Sequence, residues 1–260
     1  MDSAAMIQLL DEVAELVVRP RFRALGAGEV EQKAPGDFVT VADREAAREI
    51  VERLRGLAPG ALLVGEESTF ASPDALARLP EAALAYTIDP IDGTANFVKG
   101  SPDYALMVAE VRSGQTTRAW IWQPEYRRSY VCERGGGVYR DGERLAPVPR
   151  EGLPVGAASS KRYHGHHLEG AIAPVVRSSG SAAFDYPNLM EGRVDYLYYK
   201  RVCPWDHLGG TLMVGELGGL SKTMDGAAYG PATPPTASHL LVAASAPIWE
   251  VANRHWPQPS

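Results

Sequence analysis

The feature that most constrains the fold is an apolar run, Leu84-Ala85-Tyr86-Thr87-Ile88, that ends abruptly in Asp89-Pro90-Ile91-Asp92-Gly93-Thr94. A short uncharged run of this kind reads as a buried strand, and buried strands belong to layered folds. Pro90 has no amide to donate, so the ladder is predicted to stop there. Asp89 and Asp92 then stand close enough to converge on one centre. Gly93 lets the backbone approach a ligand, and Thr94 can begin a helix over Ala95-Asn96-Phe97, whose first amides would face an anion. Carboxylates beside a phosphate-sized nest of amides make electrostatic sense with a cation between them. The segment therefore points to a metal–phosphate site. The plain alternative is an Asp-Pro and Asp-Gly turn on the surface.

Elsewhere the hydrophobic period alternates between helix and strand. Met6, Leu10, Val13, Ala14 and Val17 mark a helix over residues 3–18. Residues 25–35 are polar and contain Gly26, Gly28 and Pro35, a loop or hairpin. Ala46, Ile50, Val51 and Leu54 predict a helix over 43–57. Strands follow at 62–64, 104–111, 117–123 and 129–133, with turns at Gly135-Gly136-Gly137 and Asp141-Gly142. The Pro-rich residues 146–154 are the natural boundary between a first half, 1–150, and a second, 151–260. Beyond it, strands near Gly156, Val175 and Val194 alternate with helices over 182–191 and 206–217, then a strand at 240–244 and a short helix from Ser245. With 260 residues, one compact unit of two joined halves is expected. The class is α+β in layers, an antiparallel sheet first and a mixed sheet second.

Composition excludes several functions. The net charge of -6 gives no positive field to draw nucleic acid or anionic lipid. The two cysteines, Cys132 and Cys203, have no metal-binding spacing. The acidic N-terminus is unlike a secretory signal, and no run is apolar enough to span a bilayer, so a cytoplasmic protein is expected. The run His164-Gly165-His166-His167 lacks an acidic partner at ligand spacing and reads as a solvated loop. Hard oxygen donors without Cys or His favour Mg²⁺ over zinc.

Asp89 to Thr94 resembles the D-P-I-D-G-T signature of the inositol monophosphatase superfamily. Lys33, Asp37, Val39, Thr40 and Asp43 resemble its N-terminal motif, and Gly65-Glu66-Glu67-Ser68 its G-E-E-S. Gly180-Ser181-Ala182-Ala183 and Trp205-Asp206 followed by Glu216-Leu217-Gly218-Gly219 resemble its C-terminal motifs. The resemblance spans nearly the whole chain. It implies a layered α/β/α/β/α sandwich of the sugar-phosphatase type, usually a homodimer, that hydrolyses a small-molecule phosphate ester with Mg²⁺ and is inhibited by lithium. It further implies that Glu66, Asp89 and the Ile91 carbonyl bind one metal, that Asp89, Asp92 and Asp206 bind a second, and that a weaker third ion leans on Glu66 with Glu67 in support. Thr94, bonded to Asp43, would position and help deprotonate the attacking water. The amides of Gly93 and Thr94 would hold phosphate, with Ser181 and Ala182 beside the substrate.

Three other readings compete. Haloacid dehalogenase phosphatases share Asp-Gly-Thr, but their nucleophile position is Pro90 here. A non-catalytic module that binds a phosphorylated metabolite is the reading from another class. Within the superfamily, inositol phosphatases commonly carry His and Glu where this chain has Lys99 and Tyr199, which puts inositol in doubt. Histidinol phosphate, fructose 1,6-bisphosphate and 3'-phosphoadenosine 5'-phosphate are the alternatives that the resemblance implies.

Overall fold

The computed structural model describes residues 2–34, 36–66, 74–237 and 239–256. Helix α1 (Ser3–Val13) buries Met6, Leu9, Leu10 and Val13 on one face, and the coil continues through a π turn and a 3-10 turn to Arg21. The polar segment that follows is a hairpin: β1 (Val30–Ala34) pairs antiparallel with β2 (Asp37–Thr40). Helix α2 (Val41–Leu57) begins earlier than its apolar period suggests, because Thr40 and Asp43 form a reciprocal capping box.

The first large sheet contains β3 (Leu62–Gly65), β4 (Ala85–Asp92), β5 (Ala105–Arg112), β6 (Gln115–Gln123), β7 (Arg128–Glu133), β8 (Gly137–Arg140) and β9 (Glu143–Arg144), in that spatial order. A short helix α3 (Asp74–Arg78) follows β3, and α4 (Thr94–Val98) follows β4. β3 runs parallel to β4, and the remaining neighbours are antiparallel. One expectation fails here. β4 does not stop at Pro90: Asp89 faces Met107 and Asp92 faces Ala105, with a register shift between them. The extra residue is accommodated as a bulge, which spares Pro90 a ladder bond and re-aims the acids at the strand end.

Strand periodicity sends alternate residues to opposite faces. Tyr86, Ile88, Leu106, Val108 and Trp120 pack with α1 and α2. Met107, Ala119 and Ile121 point the other way, into a cluster with Tyr186, Leu189 and Met213. Those last three belong to α5 (Ala182–Met190) and α6 (Pro204–Glu216), which lie beneath the first sheet.

The second sheet is mixed, with order β11-β10-β12-β14-β13. β10 (Gly156–Ala158) runs parallel to β11 (Val176–Arg177) and β12 (Tyr196–Tyr199), whereas β14 (Leu240–Ala243) is antiparallel to β12 and to β13 (Leu220–Thr223). Helix α7 (Ala246–His255) covers its outer face through Trp249 and Ala252. The layers are thus α1/α2, sheet, α5/α6, sheet and α7, the expected sandwich. Residues 146–154 run between the two sheets, yet one cluster joins Tyr130 and Val138 to Leu197 and Val242 across that junction. Close approach of α5 and α6 requires Gly210, where an added Cβ would lie 2.2 Å from the Tyr186 ring. Among the described residues, no helix is long and apolar enough to cross a membrane.

Candidate active site

The bulge at the end of β4 places Asp89 and Asp92 over the first turn of α6, which carries Asp206. Trp205 packs among Val64, Ala109 and Leu208 and so fixes the start of α6 against the sheet. Glu66, just past β3, completes the group, because β3 and β4 run parallel and end side by side. These four acids line one cavity of about 500 Å³ with Ile91, Gly93 and Thr94.

Such a concentration of buried acid is electrostatically costly. Burial pushes Asp89 well above the usual carboxylate range, and repulsion from Asp92, Glu66 and Asp206 pushes it further. Burial likewise raises Asp206, reinforced by Asp92 and Glu66. Asp92 is raised by burial but pulled back by hydrogen bonds from the Ser181 hydroxyl and the amides of Ala183 and Ala182. The Ala182 and Ala183 amides approach its carboxylate at 3.2 and 2.7 Å. Lys33 Nζ, on β1, reaches Glu66 Oε1 at 3.3 Å.

Thr94 meets Asp43, the neighbour expected for it, and also the Ile91 carbonyl. Its Oγ1 lies 2.9 Å from Asp43 Oδ1 and 2.9 Å from the Ile91 carbonyl. Asp43 is in turn fixed by the capping box, Oδ2 accepting from Thr40 N at 2.8 Å and from Thr40 Oγ1 at 2.5 Å. Gly93 adopts a φ of 87°, and an added Cβ there would sit 2.9 Å from the Asp103 carbonyl. Only glycine makes this turn without strain.

Whether a metal fits can be judged from the donors. They are all hard oxygens, and a cation would relieve the repulsion that raises Asp89 and Asp206. As the side chains stand, Asp92 is turned to Ser181 and Glu66 to Lys33, and no three such groups among the described residues converge on one ion position. The chemistry fits a hard divalent cation, with side-chain rotation needed to close the shell. Glu67 lies outside the described residues.

A second cavity, about 530 Å³, adjoins the first and shares Asp37, Asp92, Arg201 and Asp206 with it. Ser181 and Ala182 line it, as does Tyr199. The Tyr199 hydroxyl lies 3.4 Å from Asp185 Oδ2, its ring stacks on Tyr186, and its centroid is 4.5 Å from that of His207. Lys99 follows α4 and lines neither cavity. His164 Nε2 is 3.0 Å from the Ala158 carbonyl, so part of the histidine run is built into the loop. Sequence reasoning missed Asp185, Arg201 and His207. Asp185 is buried, its value pushed up to about 6 by burial and held back by bonds from Ser179. No spacing rule picks out these three, since their partners come from other elements.

A layered α+β sandwich with a carboxylate-lined cleft where β3 and β4 end side by side belongs to the class of folds suited to hold a cation beside an anionic ligand. Within that class, the chain belongs to the inositol monophosphatase family, whose model matches residues 3–255. It is 32% identical over 241 residues to the inositol-1-monophosphatase of Mesorhizobium japonicum, covering 87% of this chain and 88% of that one. It is 30% identical over 213 residues to a putative Nus factor SuhB of Neisseria meningitidis, covering 78% and 79%. A solved IMPase from Thermotoga maritima superposes with a TM-score of 0.80 at 28% identity, covering 96% of each chain.

Proposed function

We propose that this protein hydrolyses a small-molecule phosphate monoester in an Mg²⁺-dependent reaction. The observation that carries the reading is the gathering of Glu66, Asp89, Asp92 and Asp206 in one cavity beside a threonine already bonded to a carboxylate. Those four acids and the Ile91 carbonyl would hold Mg²⁺, in two sites with a weaker third. Bound there, the ions would lower the pKa of water and neutralise charge on the attacking and leaving oxygens.

The chain's own groups supply the rest. Thr94 Oγ1, donating its hydrogen to Asp43 Oδ1, keeps a lone pair with which to accept a proton or hydrogen bond from the attacking water. Asp43 orients that hydroxyl and is itself locked by Thr40. Gly93 keeps the wall of the cavity open for the phosphate, and the leaving group extends into the second cavity past Ser181, Ala182 and Tyr199. Phosphoryl transfer depends on this kind of positioning more than on a covalent nucleophile. The same reading carries lithium inhibition, a homodimer and a cytoplasmic location.

Phosphate release from a panel of inositol, histidinol, sugar and nucleotide phosphates, with Mg²⁺ and with EDTA, tests it. At least one ester is expected to release phosphate only with Mg²⁺. Activity that survives exhaustive chelation contradicts the metal assignment. Silence across the panel favours a module that acts by binding; the Neisseria relative is named a putative Nus factor, not a phosphatase.

A further inference from the structure

His207 stands in the first turn of α6, one residue after Asp206, and is 2% exposed. Its Nε2 lies 2.9 Å from the Arg201 carbonyl, which can only accept, so the hydrogen is on Nε2. The ring is buried and, among the described residues, bonded to no carboxylate, so it is neutral and Nδ1 keeps its lone pair. The Tyr186 hydroxyl, 3.1 Å away, therefore donates to Nδ1. One directed chain results, from the Tyr186 hydroxyl through the imidazole to the Arg201 carbonyl.

This chain joins the two helices that aim Asp92 and Asp206. Tyr186 lies on α5, one turn beyond Ala182 and Ala183, whose amides hold Asp92 at 3.2 and 2.7 Å. His207 lies on α6, beside Asp206. The backbone that enters α6 is held in the same way, with the Tyr229 hydroxyl 3.1 Å from the Val202 carbonyl and 3.3 Å from that of Cys203. Apolar side chains of similar size would fill this space without the cost of burying a hydroxyl and an imidazole. What the polar pair adds is direction. Packing alone tolerates a small slide of one helix along the other, whereas a buried hydrogen-bond chain fixes a single offset. The offset of α5 against α6 is also the offset of Asp92 against Asp206.

We propose that Tyr186 and His207 are positioning residues that set the spacing of Asp92 and Asp206 for the divalent cation those two acids share. This rests on the metal reading above and adds the groups that tune that site from behind the carboxylates. Mg²⁺ demands nearly ideal octahedral geometry, so even a small slide between the helices is felt as lost affinity. Partners that orient metal ligands commonly contribute about tenfold or more to metal binding.

The test is a calorimetric titration of the metal-free protein with Mn²⁺ alone, an ion that accepts the same hard oxygen donors, with no ester present. The binding that Asp206→Asn removes reports the shared site. Tyr186→Phe deletes one hydroxyl and keeps the ring packed against Gly210. It is expected to raise the Kd of the Asp206-dependent class by about tenfold and to leave any other class unchanged. Should Tyr186→Phe fold poorly, His207→Gln, which keeps a donor for the Arg201 carbonyl, should give the same shift. Tyr130→Phe is the control for lost stability, since its hydroxyl is 2.5 Å from Glu191 Oε1 and outside the chain; it should leave the Mn²⁺ constants alone. An Asp206-dependent Kd unmoved in Tyr186→Phe and His207→Gln overturns the proposal, as does an equal shift in Tyr130→Phe or in every class of site. Wild-type protein with no Asp206-dependent Mn²⁺ binding overturns the metal reading itself, and this proposal with it.

Discussion

Thr94 is the residue on which the chemistry can be tested with least ambiguity, because its hydroxyl touches Asp43 and Ile91 and nothing in the leaving-group cavity. Thr94→Ala is expected to lower kcat by about 10²–10⁴, the range for a positioned acid–base group, while KM changes little. Steady-state kinetics on the best ester check this; an unchanged kcat with a raised KM would reduce Thr94 to a binding residue. Tyr199 carries the prediction on specificity. A carboxylate there could accept from two inositol hydroxyls, whereas the tyrosine hydroxyl faces Asp185 and its ring packs on Tyr186 and His207. Losing one such bond costs about 1–3 kcal/mol, so inositol 1-phosphate should be turned over roughly tenfold less efficiently than the best ester. If it proves the best of the panel and Tyr199→Glu does not improve it, the prediction fails.

Elements hold these residues in place through close packing. Gly210 allows α6, and Asp206 at its start, to approach α5; Gly210→Ala would drive a methyl into the Tyr186 ring. Overpacking of this kind costs about 1–3 kcal/mol, and the strain falls near both cavities. Chemical denaturation should show that loss with kcat also reduced, while wild-type stability would show that α5 and α6 can separate freely. The signals legible in the chain were those with strong local patterns. The apolar periods of α1 and α2 and the runs of β4 to β7 placed the contents of the first two layers. What escaped was decided by partners distant in sequence. Pro90 argued for a stop, yet the bulge opposite Met107 carried β4 on to Asp92. β13, Leu-Ser-Lys-Thr, is too polar to read as a strand and forms because β14 lies beside it. Arg201 gains its meaning only from Asp37, which arrives on a separate hairpin. The carboxylates were visible because they cluster at element ends, where apolar runs meet acid.

The molecule as a whole keeps its acids together at the expense of stability. Asp89 and Asp206 are raised in the folded state, so their ionised forms destabilise it at neutral pH, and this cost fades as pH falls toward the raised values. Without metal, Asp89→Asn should therefore unfold at a higher temperature than wild type under mildly alkaline conditions, with the gap narrowing as the pH is lowered. Thermal scans in EDTA check the sign; a variant less stable throughout that range would mean that Asp89 is stabilised rather than strained. Mg²⁺ should reverse the order by binding the folded wild type, a gain of about 2.7 kcal/mol at a hundredfold excess over Kd.

The most direct measurement is phosphate release titrated with Mg²⁺, in wild type and in Asp89→Asn. The wild type should rise from no turnover in EDTA to a plateau, and the variant should stay near the blank while remaining folded. Metal-independent turnover by the wild type, or a variant that reaches the same plateau at the same Mg²⁺ concentration, would contradict the account.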